Sequence, residues 1–427
     1  MSKLNRAIAP KVGELKKINL EYPHAVKLKS GHTAYLINNI DSQYVKLELL
    51  WTRGFSGSPL YLDFLHSRLV FSGTSSHDAS DIEAKMKTLG CDYSFVIKED
   101  HATLKLTGLA KTIDLAFNYL LEFYTEASFP EDELKVLKTM EIASLESKMK
   151  TPGYWASIKL SQAILPADHL QNRIAKPEDI KQIKADDIRV NAEKYKPNTC
   201  TIFIFGPYAI DLSDKISDTL MKYGYWQENT RETLDYRCEQ QNTGEIRTTV
   251  KNTNQVVLQA SVLYTNITEE QMPILYLLNM TLGGYFGSRL MKDVRETKGL
   301  TYGIGSSIGL KNSLFSLSIS SQMNTTNVDL AVKAIKDIID SLQKDGINSE
   351  EFDRSQRYYI GQLYSSVDGP QSMNAKIKNS ITEGKPLNAF EEKCRLILNA
   401  QLKDVNEMAK LIYKSENFMW SLAGDVS

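Results

Sequence analysis

The feature that most constrains the fold is a repeat within the sequence, at a fixed separation of about half the chain. Residues 129–134 (FPEDEL) have the pattern of a turn that leads into a long helix, and residues 347–352 (INSEEF) repeat it. The strand-like segments 201–206 (TIFIFG) and 419–424 (MWSLAG) have the same separation in the numbering. Several similarities at one fixed separation are typical of a duplicated structural unit. We therefore predict that the chain consists of two similar halves.

Each half contains both strand-like and helix-like hydrophobic patterns. Apolar residues at every second position predict half-buried strands, whereas a period of about 3.6 predicts amphipathic helices. The strand pattern occurs in residues 45–50, 102–107, 256–263 and 314–319, and the helix pattern occurs in residues 112–124 and 328–342. Strands followed by packed helices predict an α+β fold of two homologous domains, each an antiparallel-rich sheet covered by helices.

The two halves are separated by a polar stretch, residues 227–244, that has neither period. We interpret this stretch as a linker. The prediction is an N-terminal domain at residues 1–226 and a C-terminal domain at residues 245–427. The alternative interpretation is one continuous large domain.

The first helix of each half has a recognisable start signal. Ser58 followed by Pro59 is typical of an N-cap residue and the first helical position. Thr268 with Gln271 three residues later is typical of a capping box. We expect a helix to begin at each of these places.

The charge balance and the cysteines exclude some classes of protein. Lys and Arg total 51 and Asp and Glu total 52, so the formal net charge is −1, whereas a nucleic-acid-binding domain normally has a clear basic excess. Cys91, Cys200, Cys238 and Cys394 lie far apart and form no CxxC pair. This spacing argues against a disulfide framework or a thiolate zinc site, so we expect buried, reduced thiols.

The hydrophobic runs favour a protein of the cytoplasm. The first ten residues, MSKLNRAIAP, have no apolar core of signal-peptide length. No apolar run approaches the ~18–20 residues that cross a membrane. We therefore expect a cytoplasmic protein that binds neither a membrane nor nucleic acid.

With these patterns in place, the sequence resembles the pitrilysin/insulinase family of zinc metallopeptidases over nearly its whole length. The matching segments are residues 71–74 (FSGT), 129–130 (FP), 176–180 (KPEDI), 195–198 (YKPN), 282–284 (LGG), 288–290 (SRL) and 295–302 (RETKGLTY). The resemblance implies a LuxS/MPP-like metallopeptidase fold. The order and spacing of the segments carry the resemblance, because no single motif is decisive.

The zinc signature of that family, H-x-x-E-H, is absent from the position where the resemblance places it. Its two histidines hold the metal, and the glutamate between them activates a water molecule. The three functional positions before the FSGT segment are occupied by Phe64, Ser67 and Arg68. A phenyl ring has no lone pair, a serine hydroxyl is a weak base, and a guanidinium repels a cation. We therefore predict a degenerate motif that binds no metal.

The other histidines do not restore a metal site in the sequence. His66 has no second histidine at helical spacing, so we interpret it as a core or surface residue rather than a degenerate ligand. The resemblance makes Glu141 a candidate for the family's third, more distant ligand. The remaining histidines are scattered, although His77 and His101 could converge in the fold; they are His24, His32, His77, His101 and His169.

A second functional pair of the family is retained. The resemblance implies that Arg295 and Tyr302, in the pattern R-E-x-x-G-L-x-Y, bind substrate carbonyls and the oxyanion that forms on attack. Arginine offers a rigid fork of donors and a phenol offers one directed hydrogen bond. We expect a helix to end near Lys298, with Gly299 in the left-handed position that follows it. The alternative is that Arg295 pairs with a neighbouring glutamate and Tyr302 packs in the sheet.

A lost zinc motif with a retained Arg/Tyr pair favours one interpretation of function. We predict a proteolytically inactive, substrate-binding subunit of a heterodimeric zinc metalloendopeptidase, in which Arg295 and Tyr302 complete the site of a homologous partner. The partner would carry an intact H-x-x-E-H signature and the zinc, and the substrates would be peptides enclosed in a chamber. One alternative is a non-enzymatic scaffold that keeps only the fold, and another is an independent metallopeptidase with a relocated zinc site.

Overall fold

A computed structural model describes residues 20–38, 42–54, 58–167, 169, 172–207, 209–228, 242–311 and 314–426. Within these residues the chain forms two mixed sheets, each covered by helices. The fold class predicted from the repeat and the periodicity is confirmed. The predicted domain boundaries stay a prediction, because most of the proposed linker lies outside the described residues.

The first half contributes a six-stranded sheet and eight helices within the described residues. Its strands are β1 (His24–Lys27), β2 (Thr33–Asn38), β3 (Tyr44–Trp51), β4 (Asp92–Ile97), β5 (Ala102–Leu109) and β6 (Thr201–Gly206). Its helices are α1 (Leu62–Leu69), α2 (Ala79–Thr88), α3 (Ile113–Thr125), α4 (Glu131–Lys148), α5 (Pro152–Ile164), α6 (Pro177–Gln182), α7 (Ala185–Ala192) and α8 (Ala209–Met221).

The second half contributes a five-stranded sheet and a further set of helices. Its strands are β7 (Gly244–Thr249), β8 (Gln255–Tyr264), β9 (Gly303–Lys311), β10 (Leu314–Asn324) and β11 (Met419–Gly424). Its α-helices are α9 (Met272–Asn279), α10 (Val328–Asp345), α11 (Ser349–Ser365), α12 (Pro370–Glu383), α13 (Ala389–Asn399) and α14 (Leu402–Ile412). Two π-helical segments, Met280–Gly284 and Met291–Thr297, lie between α9 and β9.

The two sheets have the same strand order, apart from one extra edge strand. The first sheet runs β1-β2-β6-β3-β5-β4 and the second runs β7-β11-β8-β10-β9. In each sheet a single parallel pair, β2 with β6 or β7 with β11, joins the early strand to the last one, and the other pairs are antiparallel. Strands β6 and β11 begin at Thr201 and Met419, the equivalent positions that the repeat predicts.

One pair of equivalent helices is exchanged between the halves. Helices α5 and α12 begin at Pro152 and Pro370, which have the same separation as the other repeated features. Helix α5 of the first half packs on strands β7, β8 and β11 of the second sheet, and α12 of the second half packs on β6 of the first sheet. Each sheet therefore has one face that is covered by a helix of the other half.

A buried ion pair marks this exchange. The Glu48 carboxylate on β3 lies 2.7 Å from the ammonium groups of both Lys46 and Lys378, and Lys378 belongs to α12. Burial alone would raise the pKa of Glu48, but the two lysines more than offset that effect and lower the pKa below its usual value. The two halves are thus joined by charge as well as by apolar contact.

The start signals in the sequence are confirmed in one half and wrong in the other. Thr268 and Gln271 form the expected capping box. Helix α1, however, begins at Leu62 rather than at Ser58-Pro59, because Leu62 N–H closes a turn onto the Pro59 carbonyl at 3.2 Å and Tyr61 adopts a left-handed backbone with φ of 68°. The chain cannot continue a right-handed helix through such a residue.

Candidate functional site

The three substituted motif positions line one cavity. Phe64, Ser67 and Arg68 project from α1 into a cavity of about 780 Å³, which lies between α1, β4 and α4. Glu141 of α4 lines the same cavity. The structure therefore brings together all four positions that the resemblance assigned to zinc and its water molecule.

The residues at these positions do not fit a zinc ion. Tetrahedral zinc sites use thiolate, imidazole or carboxylate ligands. Of the four positions only Glu141 offers such a group, and Arg68 adds a positive charge to the same space. Within the described residues, no group of three or more His, Cys, Asp and Glu side chains is arranged to hold a metal ion.

His66 lies on the buried side of α1, facing away from this cavity. Its ring is fully buried against Phe95, Phe129 and Tyr195, with ring centroids 5.2 to 5.8 Å apart. The sequence left open whether His66 is a core or a surface residue, and the structure places it in the core. The sequence signal against a ligand role was the absence of a second histidine at helical spacing from His66.

His66 belongs to a buried polar cluster that the sequence did not indicate. The Asn191 side-chain amide on α7 donates to Asp63 Oδ1 at 2.7 Å and lies 3.2 Å from His66 Nδ1. The Tyr195 hydroxyl also donates to Asp63 Oδ1, at 3.2 Å. Because the amide is a donor, His66 Nδ1 accepts and the ring is neutral with its proton on Nε2. Burial, with a smaller contribution from Lys194, lowers the pKa of His66 to about 3.

The remaining candidate ligands lie in ordinary structural roles. His77 packs edge-on against Phe123, and His101 Nδ1 lies 2.7 Å from Asp100 at the turn between β4 and β5. His32 is buried and bonds to Ser30 and to the Pro197 carbonyl. Cys91, Cys200 and Cys394 are buried free thiols, as expected, whereas Cys238 lies outside the described residues.

Arg295 and Tyr302 form a single exposed feature of the second half. Arg295 lies on the π-helical segment Met291–Thr297, and its Nε donates to the Tyr302 carbonyl at 2.9 Å. The Tyr302 side chain is 77% exposed, directly before β9. Among the described residues Arg295 forms no ion pair with a glutamate, so the alternative placement of the two side chains is wrong.

The backbone between these two residues adopts the expected turn. Gly299 has φ of 62°, which glycine adopts without steric cost. Lys298 N–H bonds to the Asp293 carbonyl and Leu300 N–H bonds to the Val294 carbonyl, which closes the end of the helical segment. The turn places the Arg295 side chain against the Tyr302 backbone.

Gly283, in the π-helical segment Met280–Gly284, allows that segment to approach β9 closely. A Cβ atom on Gly283 would lie 2.6 Å from the Ser306 backbone nitrogen on β9, which is too close for any side chain. The close approach brings the segment Met280–Gly284 directly against β9.

One residue of this feature was missed by the sequence analysis. Phe286 is 61% exposed, and the Arg295 guanidinium lies over its ring at 4.9 Å from the centroid. Arginine and an aromatic face attract each other in this arrangement. The only sequence signal for Phe286 was its position as a large apolar residue in a glycine-rich loop. Large apolar side chains are seldom exposed. Phe286, Arg295 and Tyr302 are called the exposed arm below.

The comparisons with known proteins agree with the predicted family. The Peptidase M16 inactive domain matches residues 182–359, a span that contains the exposed arm. The "Uncharacterized zinc protease YmxG" of Bacillus subtilis is 24% identical and covers 82% of this chain and 84% of its own length. The "Non-peptidase homolog YmxG" of Helicobacter pylori is 23% identical and covers 77% of this chain and 75% of its own length.

Solved structures share the fold over almost the whole chain. The peptidase M16 inactive domain from Pseudomonas fluorescens has a TM-score of 0.79 at 20% identity, with 94% of this chain and 98% of that chain covered. The periplasmic protease PqqL from Escherichia coli has a TM-score of 0.78 at 14% identity, with 99% of this chain but only 48% of that chain covered. The resemblance to the pitrilysin/insulinase (M16) peptidases is confirmed.

No helix within the described residues is both long enough and apolar enough to cross a membrane.

Proposed function

From its M16 inactive domain and its lost zinc motif, we propose that this chain is a proteolytically inactive, substrate-binding subunit of a heterodimeric zinc metalloendopeptidase. The catalytic partner would be a homologous chain that carries the intact H-x-x-E-H signature and the zinc. The substrates would be peptides, degraded in a chamber that the two chains enclose.

The observation that carries the proposal is the geometry of the exposed arm. Arg295 Nε is occupied by the Tyr302 carbonyl, and the guanidinium lies over the Phe286 ring. Within the part of the chain that the structure describes, the two terminal nitrogens of Arg295 have no hydrogen-bond partner, so they are available as donors near the exposed Tyr302. Such a set suits the carbonyl groups and the developing oxyanion of a peptide under attack.

The substituted motif of this chain lacks the ligands that would hold zinc for the exposed arm. The cavity around Phe64, Ser67 and Arg68 is lined by residues of the first half between positions 58 and 173, and neither Arg295 nor Tyr302 is among them. The protease PqqL, of which this chain matches about half, supports an assembly of two such lengths of chain. A second chain would supply the other half of the site.

The proposal is tested by measuring peptide cleavage by the complex of this chain with a homologous chain that has an intact zinc signature. Loss of one preorganised oxyanion donor costs about 10²–10³ in kcat. We expect losses of this size for Arg295→Ala and for Tyr302→Phe, with zinc content and complex formation unchanged.

Matched controls are Arg395→Ala and Tyr225→Phe, which alter exposed side chains away from the arm. We expect both to leave cleavage unchanged. If the two arm variants also cleave at the wild-type rate, the arm does not take part in catalysis and the chain acts only as a scaffold. A full equivalent of zinc bound by the isolated chain would also contradict the proposal.

A further inference from the structure

The cavity at the substituted motif is a well-formed pocket with an aromatic lining. Aromatic side chains come from α1, from β4 and from the turns beside α1; they are Tyr61, Phe64, Phe71, Tyr93 and Phe95. Its volume, about 780 Å³, lies within the ~300–1,000 Å³ of typical small-ligand sites. The walls therefore suit a large apolar group, and an aromatic ring above all.

The polar lining of this cavity is cationic where it meets solvent. Arg68 and Lys148 are exposed, and their side chains form no ion pair or hydrogen bond with any described residue. Arg173 donates to the Ser58 carbonyl at 2.9 Å and has further donors to offer. Of the two carboxylates, Asp63 is buried and bonded to Asn191 and Tyr195, which leaves Glu141 as the accessible acid.

The arginine at position 68 makes this part of the cavity suitable for an anion rather than a cation. Arg68 occupies a position where the family motif places a metal ligand, so a fixed positive charge stands beside the space that a cation would fill. A guanidinium binds a carboxylate through two parallel hydrogen bonds, and these are stronger than bonds between neutral groups. An anionic oxygen pair is the complement of Arg68, with Lys148 or Arg173 beside it.

We propose that this cavity binds an aromatic or large aliphatic group that carries a terminal carboxylate. The apolar group lies among the aromatic side chains, and the carboxylate lies at Arg68. Two sources offer this chemistry: the C-terminal residue of a peptide and a free small carboxylic acid. The proposal concerns the isolated chain and does not depend on the exposed arm or on a partner.

Calorimetric titration of the full-length chain with matched peptides tests the carboxylate. The probes are acetyl-Ser-Gly-Ser-Leu-Phe with a free C-terminal carboxylate, the same peptide as its C-terminal amide, and N-acetylphenylalanine. We expect the free acid to bind at least about tenfold more tightly than the amide, since charge-assisted hydrogen bonds are about twice as strong as neutral ones. Equal affinity for acid and amide, or no binding of either, would overturn the proposal.

N-acetylphenylalanine distinguishes the two sources. If it competes with the peptide acid at similar concentration, a small carboxylic acid satisfies the site. If the peptide acid binds and N-acetylphenylalanine does not compete, the site takes the C-terminus of a peptide. Both results support the proposed ligand chemistry.

Two variants place the ligand in this cavity. Arg68→Gln removes the charge and should weaken the peptide acid at least about tenfold while leaving the amide unchanged. Ser67→Trp fills the cavity and should abolish binding of the acid. The matched controls, Lys135→Gln and Thr139→Trp, lie on the exposed face of α4 outside the cavity and should bind as wild type. Thermal unfolding checks that all four variants are folded, and unchanged affinity in folded Arg68→Gln would place the ligand elsewhere.

Discussion

The two halves share one architecture but differ in what they present to a ligand. The first half has an aromatic cavity bordered by α1, whereas the second half has the exposed arm beside the corresponding sheet edge. Strand order is the same in both, apart from the extra edge strand β1 of the first sheet. The difference shows that the duplicated backbone fixes where a site can form, while a few side chains on it decide its chemistry.

Equivalent positions on α4 and α11 illustrate this point. Glu141 lines the cavity of the first half, and Tyr359, its equivalent in the repeat, is buried in the second half. The Tyr359 ring stacks on Tyr276 of α9 at 5.0 Å between centroids, and burial raises its pKa well above the ordinary value. The same helix therefore supplies a cavity carboxylate in one half and a core aromatic in the other.

The exchange of α5 and α12 makes the halves interdependent, and breaking its ion pair should have the largest effect. Glu48→Gln leaves Lys46 and Lys378 close together without their carboxylate. We expect the free energy of unfolding to fall by about 3 kcal/mol, as for other buried pairs that lose one partner. Urea unfolding measures this change. Glu83→Gln, which removes an exposed pair with Lys87, is the control and should cost less than about 0.5 kcal/mol.

The buried cluster of the first half should give that half a distinctive pH dependence. His66 has a pKa of about 3 in the folded chain and an ordinary pKa of 6.5 when unfolded, so the unfolded chain binds an extra proton as pH falls. The contribution of neutral His66 to the free energy of unfolding is fully present above pH 6.5. It is lost as the pH falls below 6.5, with a slope that approaches about 1.4 kcal/mol per pH unit.

This dependence is measured by urea unfolding between pH 7.5 and pH 5, above the range in which Glu48 takes up a proton. His66→Leu should make the curve less steep in that window, whatever its effect on stability at pH 7.5; the slope that is left comes in part from buried His32, whose pKa burial also lowers. A variant whose stability still falls as steeply as that of wild type would show that another group is responsible.

In the second half, removing Phe286 from the exposed arm should have a smaller effect than the changes at Glu48 and His66. Cation–π contacts at exposed sites contribute about 0.5–1 kcal/mol. We therefore expect Phe286→Ala to lower kcat/KM for peptide cleavage by the proposed complex about two- to fivefold, with Phe286→Tyr restoring it. Tyr358→Ala, which removes an exposed aromatic that contacts Tyr285 instead, should have no effect on kcat/KM. A loss as large as that of Arg295→Ala would mean that Phe286 contacts the substrate directly.

The smallest expected effect on stability comes from substitutions at equivalent positions of the two duplicated helices, α4 and α11. Helix α11 carries Gly361 where α4 carries Ala143 at the equivalent position of the repeat, and a Cβ atom at Gly361 would meet no other atom within 4 Å. Gly361→Ala should raise the free energy of unfolding by about 0.5–1 kcal/mol, because glycine in a helix interior is the costlier residue. Ala143→Gly should lower it by a similar amount. If Gly361→Ala lowers the free energy of unfolding, or Ala143→Gly raises it, the two positions are not equivalent in the two helices.

Much of the architecture was predictable because it is recorded in local patterns. The repeat located α4 with α11 and β6 with β11, and the turn at Gly299 followed from a helix-end signal. The start of α1 was predicted wrongly, since a left-handed residue at Tyr61 is set by packing and has no signature at Ser58-Pro59. Only the family resemblance connected Phe64, Ser67 and Arg68 with Glu141, and the four residues line one cavity in the structure.

The sequence by itself determined the duplication and the alternation of strands and helices, since both are set by residue type and spacing along the chain. The degenerate zinc motif was recognised through the family resemblance. Only the tertiary structure decided that α5 and α12 change places, that Asn191 bonds to Asp63 and His66, and that Phe286 lies against Arg295. These contacts join residues on different elements, and many of those residues lie far apart in the chain. Their free energy depends on burial and on the distance between side chains, which no local pattern of residues records.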